Sequence, residues 1–190
     1  SCFIACKSLL VCENLHSSML VCNDHEEVGS ASSSGAQGPF LKSVLERLIS
    51  SEDESRDAFE RVMRQSLLFS IDNAHGVHPN FSEKHDDKHM PLLNGGPVIK
   101  VNANQRYASN SESIALVKSL CKKLRLPYQS FVMRTGMACG STIGPITAAE
   151  LGITTLDIGV ASFGMHSIRE IVGSADSIII NSIVTAYFNR

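Results

Sequence analysis

Several features are missing from this sequence, and each absence removes a class of function. No apolar run approaches the roughly 18 to 20 residues that a helix needs to cross a bilayer, so no membrane association is expected. The 17 basic and 19 acidic residues nearly cancel, to a net charge of -2, which argues against electrostatic binding to nucleic acid or to an anionic membrane. The six cysteines include no CxxC pair and form no secreted framework. Most lie among apolar neighbours, where a free thiol behaves as a small hydrophobe, so they read as reduced core thiols of a cytoplasmic protein. There is no HExxH and no G-x-S-x-G elbow. The loop Met137-Ala138-Cys139-Gly140-Ser141 is like a nucleophile loop, yet no matched His and acid accompany it, which leaves a cysteine hydrolase as a weak rival. Neither an initiator methionine nor a basic leader opens the chain, and we expect it to begin inside a longer polypeptide.

What remains is a 190-residue chain with 43% apolar and 19% charged residues, enough for one hydrophobic core. Residues 2–11 are apolar around most of a helix's circumference and predict a buried helix. The run 17–23 predicts a first strand. Phe40, Leu41, Val44, Leu45, Leu48 and Ile49 recur at helical spacing and predict an amphipathic helix over 37–50. An acidic connector over 51–57 and a helical turn over 58–63 follow. Strands are expected over 66–71, 98–101, 128–133 and 153–158, with helices over 111–123, 143–151 and 174–188. Residues 72–97 are a long, histidine-rich loop, and loops of that length in compact domains are usually functional or disordered. No repeat, low-complexity tract or linker interrupts the pattern. Alternating strands and helices predict a single α/β domain, a layered sheet flanked by helices.

The chemistry is concentrated at strand ends. Glu26 and Glu27 are adjacent carboxylates after an apolar run, a costly arrangement beside a core unless a cation is present. With a metal ion, one can coordinate while the other takes a proton from the attacking water. The bland alternative is an acidic loop on a solvated surface. Asp72 ends the next strand and His166 follows the last one, and in α/β sheets the carboxyl ends of strands line the ligand crevice. Glu27, Asp72 and His166 together supply the oxygen and imidazole donors of a hydrolytic zinc site. Of the other histidines, His85 and His89 sit in a charged stretch and are expected to be solvated. His78, before Pro79, is expected to shape its loop by a hydrogen bond.

Five segments carry a resemblance: CNDHEEVGS (22–30), SIDNAHGVHPN (70–80), GPVIKVNANQRYAS (96–109), CGSTIGP (139–145) and GMHSIRE (164–170). Together, and in this order, they resemble the aspartyl aminopeptidases, cytosolic metallopeptidases with two co-catalytic zinc ions. The resemblance implies hydrolysis of N-terminal Asp or Glu from peptides, in a large homo-oligomer. It makes Glu26 the general base and Glu27 and His166 ligands of one zinc. Asp72 becomes a ligand of the other, and His75, Lys100 and Tyr107 become substrate contacts. Lys100 is the natural cation for an acidic side chain, because it stands on an otherwise apolar strand and a buried Lys wants a carboxylate.

The match also has gaps. The family's site includes an early His and a metal-bridging Asp, which would lie just ahead of Ser1, and an inserted dimerisation domain that contributes another His. The resemblance therefore makes residues 1–190 the C-terminal portion of one metallopeptidase catalytic domain. The other function class to be weighed is a non-catalytic truncated product that binds metal weakly or associates with intact subunits.

Overall fold

The computed structural model describes residues 1–13 and 15–190. Its centre is a four-stranded sheet in the order β1-β5-β3-β4, built from β1 (Leu67–Ile71), β3 (Val98–Val101), β4 (Gln129–Val132) and β5 (Thr154–Gly159). β1 runs parallel to β5, β3 runs parallel to β4, and β3 meets β5 antiparallel. The β1–β5 ladder does not stop at the strand ends. Asp72 and Ala74 donate backbone hydrogen bonds to Ile158 and Val160, and the pairing resumes as β2 (Ala74–His75) beside β6 (Ala161–Phe163). β7 (Ile171–Val172) closes that second sheet against β6. Asp72 thus sits at the break between two sheet segments.

Alternation along β5 sorts the two faces of the main sheet. Leu156 and Ile158 pack on one face with Ile99, against Val117 and Cys121 of α4 (Ser111–Leu124) and Ile183 of α6 (Ser174–Phe188). Outside this layer, α1 (Cys2–Leu10) lies on α6. Cys12, Val160, Ile180, Val184 and Phe188 form a second apolar cluster nearby. Asp157, between the two core residues of β5, faces the other way, towards Gly144 at the start of α5 (Ile143–Leu151). An α/β sheet flanked by helices is the architecture expected.

Termini and turns are fixed by local chemistry. Asn110 caps α4: its side chain accepts from the Ser113 N–H at 2.9 Å, and the Ser113 hydroxyl accepts from the Asn110 N–H at 3.1 Å. This reciprocal cap satisfies two donors that a helix start leaves open. At the start of α6, buried Asp176 accepts from the N–H groups of Asn94 (2.7 Å) and Gly96 (2.8 Å), tying the 92–97 turn to the helix. Asp176→Ala would leave buried donors unsatisfied. It is expected to cost about 3 kcal/mol, measured by urea unfolding, since each such group costs about 1–3 kcal/mol.

Some expectations need correction. Residues 17–23 are not a strand; the segment pairs with neither edge strand of the sheet, and its side chains alternate only between exposed and half-buried. An apolar run becomes a strand only where a partner edge meets it. The helix expected over 37–50 forms as α2 (Phe40–Glu52), but none of its residues is buried, and Phe40 and Leu48 are each about half exposed. The turn at 58–63 extends to a helix, α3 (Ala58–Gln65), packed on α2. Of the six cysteines, Cys12 and Cys121 are buried, while Cys2, Cys6 and Cys22 are exposed, so the core-thiol reading fails for half of them. The long loop 72–97 is not structureless: it holds β2 and a 3₁₀ segment, Pro79–Lys84.

Candidate active site

The break after β1 opens into a cleft of about 290 Å³. All seven residues singled out from the sequence line it: Glu26, Glu27, Asp72, His75, Lys100, Tyr107 and His166. They come from four separate stretches of chain, which the topology brings to one place.

Glu26 and Glu27 occupy a short 3₁₀ turn, Glu26–Val28, entered through His25 in the left-handed region and left through Gly29 at φ +102°. That tight reversal directs consecutive carboxylates differently. Glu27 reaches His166, Oε2 to Nε2 at 2.6 Å, with both side chains largely in solvent. Glu26 is half-buried. Its carboxyl is held above the ordinary glutamate range, chiefly by burial and then by the negative charges of Asp72 and Glu27, with Lys100 and His166 opposing the rise. A carboxylate raised in this way is a stronger base.

His166 lies in the β6–β7 hairpin loop, at φ +66°, a conformation that side-chain-bearing residues rarely adopt. Glu170, on the same loop, accepts from the His166 N–H at 2.5 Å, and the Ser167 N–H returns to the Gly164 carbonyl at 2.8 Å. Glu170 also lines the cleft; it stood in the GMHSIRE segment without an assigned part, and its four-residue spacing from His166 was the available signal.

The floor of the cleft is Lys100. It is 1% exposed, and its Nζ donates to Asp72 Oδ2 and to the Asn73 carbonyl, each at 3.1 Å. The ammonium also stands 5.2 Å from the Tyr107 ring centroid. The carboxylate partner expected of a buried Lys is therefore Asp72, while Asp72 itself keeps 39% of its side chain exposed to the cleft. Tyr107 is buried, and its hydroxyl is pushed far up by burial and by a hydrogen bond with Cys139. His75 is held below the usual imidazole range, first by burial and then by neighbouring His85 and Lys100.

The remaining histidines divide. His78 accepts from the Asn80 N–H at 3.2 Å and caps the 3₁₀ segment, the loop-shaping part expected. His89 pairs with Asp86 at 2.6 Å and is partly covered. His85 is not solvated as expected: it is buried, packs edge-on to Phe131 and reaches the His75 carbonyl at 3.3 Å. A charged stretch of sequence concealed a residue that β4 and β2 enclose.

Fit to a metal follows from the donors. Glu27 and His166 present an oxygen and an imidazole nitrogen side by side, the donor chemistry of a zinc site, and Asp72 adds a carboxylate across the cleft. Among the described residues, no three His, Cys, Asp or Glu side chains gather closely enough to hold an ion. The donors are of the kind a zinc site uses, and by themselves they do not complete one.

Comparison with known proteins decides the family. The profile of a peptidase family described as "Aminopeptidase I zinc metalloprotease (M18)" matches residues 1–188. The chain belongs to the M18 aminopeptidases. It is 54% identical over 189 residues to the "Probable M18 family aminopeptidase 2" of Azotobacter vinelandii, covering 100% of this chain and 43% of that protein. The protein of the same description from Pseudomonas aeruginosa is 53% identical over 188 residues, again covering 43% of its length. Among solved structures, Ape4 in its complex with Nbr1 is 40% identical with a TM-score of 0.89, covering 98% of this chain and 37% of that one. The Saccharomyces cerevisiae mApe1 dodecamer is 31% identical at a TM-score of 0.83, covering 98% and 42%. The M18 chain thus spans less than half the length of the relatives it matches.

Proposed function

We propose that this chain forms part of the catalytic domain of a cytoplasmic zinc aminopeptidase that removes N-terminal Asp or Glu from peptides, working as a homo-oligomer. The observation that carries the reading is the convergence of Glu26, Glu27, Asp72 and His166 on one cleft floored by a buried cation. Family membership supports the zinc and the aminopeptidase chemistry. The dodecameric relative supports the assembly. We assign Glu27 and His166 to one zinc and Asp72 to a second, with the missing donors supplied from polypeptide outside residues 1–190.

Bound zinc supplies positive charge that polarises the scissile carbonyl and acidifies a water molecule. Glu26 takes that water's proton and returns it to the leaving amine, a task suited to its raised basicity. The carboxylates around the cleft offset the charge of the substrate's free ammonium. Lys100 faces an acidic first side chain, with Tyr107 and His75 forming walls beside it.

Lys100→Met is expected to abolish the preference for acidic over neutral N-terminal residues. A hydrogen bond to a charged group is worth about 1.5–3 kcal/mol, roughly tenfold to a hundredfold in the ratio of kcat/KM for Asp-led and Leu-led peptides. The ratio is the informative quantity, because Lys100 also holds Asp72 and its loss there slows both substrates alike. An unaltered ratio moves the assignment to another cation, Arg106 being next in sequence terms.

The truncated, non-catalytic reading is kept apart by one observation: the chain covers 43% of its relatives. It predicts that residues 1–190 bind metal weakly when expressed alone, without implying anything against catalysis by a longer polypeptide.

A further inference from the structure

Asp157 is a buried carboxylate that none of the chemistry above uses. It is fully enclosed in the middle of β5, and among the described residues no cation pairs with it. Burying a carboxylate without a counter-charge is costly unless hydrogen bonds replace the lost water. Asp157 has those bonds, and they come from the two loops that wall the cleft. Its Oδ1 accepts from the Thr142 hydroxyl at 2.6 Å, and its Oδ2 accepts from the Ala108 N–H at 2.6 Å.

Both contacts lie next to cleft surface. Ala108 follows Tyr107, and Thr142 itself lines the cleft with Gly140 and Ser141. Ser109 completes the anchor: its hydroxyl accepts from the Asp157 N–H at 2.9 Å and donates to the Asp157 carbonyl at 3.3 Å. Neither wall has strands or helices of its own at these positions. The walls are tied again where Arg106 Nε donates to the Cys139 carbonyl at 3.2 Å and the Ser141 hydroxyl donates to the Arg106 carbonyl at 3.4 Å. Gly144 leaves the room this requires, since a Cβ there would stand 2.3 Å from Asp157 Oδ1.

We propose that Asp157 is a positioning residue that sets the spacing of the Tyr107 and Thr142 walls and so the fit of the substrate's first residue. The inference rests on the reading of this cleft as the aminopeptidase site. An ionised carboxylate accepts from both walls at once. An amide of the same shape offers its oxygen to the Ala108 N–H and an N–H to Thr142, whose hydroxyl must turn from donor to acceptor, so both bonds lose the negative charge that strengthens them. Asp157→Asn therefore weakens the hold on both walls, and Thr142→Val removes one bond while leaving the carboxylate in place.

The test is steady-state kinetics of Asp157→Asn, Thr142→Val and Thr142→Ser in the full-length enzyme, with Asp-led peptides. KM is expected to rise about tenfold in the first, the equivalent of the charge assistance lost from two bonds. A smaller rise is expected in the second, and recovery of most of it in the third. A purely structural part lowers the active fraction instead, and so lowers kcat with KM unchanged. Unchanged KM in both Asp157→Asn and Thr142→Val overturns the proposal. If Asp157→Asn does not fold, Thr142→Val and Thr142→Ser decide it. Glu26→Gln, assayed in parallel, tests the site reading by itself: if it keeps full turnover, that reading fails whatever the KM values show.

Discussion

Glu26→Gln in the full-length enzyme is expected to lower kcat by about 10² to 10⁴-fold, the usual contribution of a general base. The substitution keeps the shape of the side chain and removes only the capacity to take a proton. Zinc content should stay nearly unchanged, because the neighbouring carboxylate does the binding in our assignment. The structure supports that division through direction. The 3₁₀ turn sends Glu27 to His166 at 2.6 Å, while Glu26 sits deeper, in the field of Asp72 and Lys100. Burial and two nearby carboxylates raise its basicity, and Lys100 and His166 limit the rise. Elemental analysis of the purified variant separates the two roles. Loss of zinc from Glu26→Gln, with zinc retained in Glu27→Gln, would mean that the assignments are reversed.

The parts of the fold that were readable in advance are those whose signal is local. β1, β3 and β5 are apolar runs bounded by turn residues, and α4 carries its core residues Val117 and Cys121 at helical spacing. The run 17–23 has the same composition as a strand and is not one, because pairing depends on a neighbour that composition does not reveal. β2, β6 and β7 are two or three residues long and exist only because the β1–β5 ladder resumes after Asp72.

The site divides along the same line. Glu26, Glu27, Asp72 and His166 were read from residue type at expected strand ends, although the run ahead of Glu26 forms no strand. His75 and Tyr107 were named through resemblance alone. His85 and Asp157 were not readable at all. One is a histidine in a charged stretch that tertiary contacts bury, and the other is an acid in an apolar strand whose partners, Ala108 and Thr142, lie at long range.

Expressed by itself, the polypeptide of residues 1–190 is expected to show no peptidase activity and to bind less than one zinc per chain. Among the described residues of the cleft, Glu27 and His166 are the one carboxylate–imidazole pair set side by side, and a two-donor site competes poorly with water and buffer. Asp72 offers the other position one carboxylate, whose Oδ2 is already held by Lys100. Paired divalent ions in hydrolases stand roughly 4 Å apart and repel unless an anion bridges them. No third carboxylate or imidazole among the described residues joins either group to serve as that bridge. The surface points the same way. Phe3 is 77% exposed and Leu10 80%, and α2 fully buries none of its apolar stripe, so self-association is expected in the isolated polypeptide. Bound zinc by elemental analysis, turnover of an Asp-led chromogenic peptide, and sedimentation at several concentrations check each part. Two zinc ions per chain with turnover near that of a full-length relative would show that these residues build a complete site. The assignment of missing donors to polypeptide outside them would then be wrong.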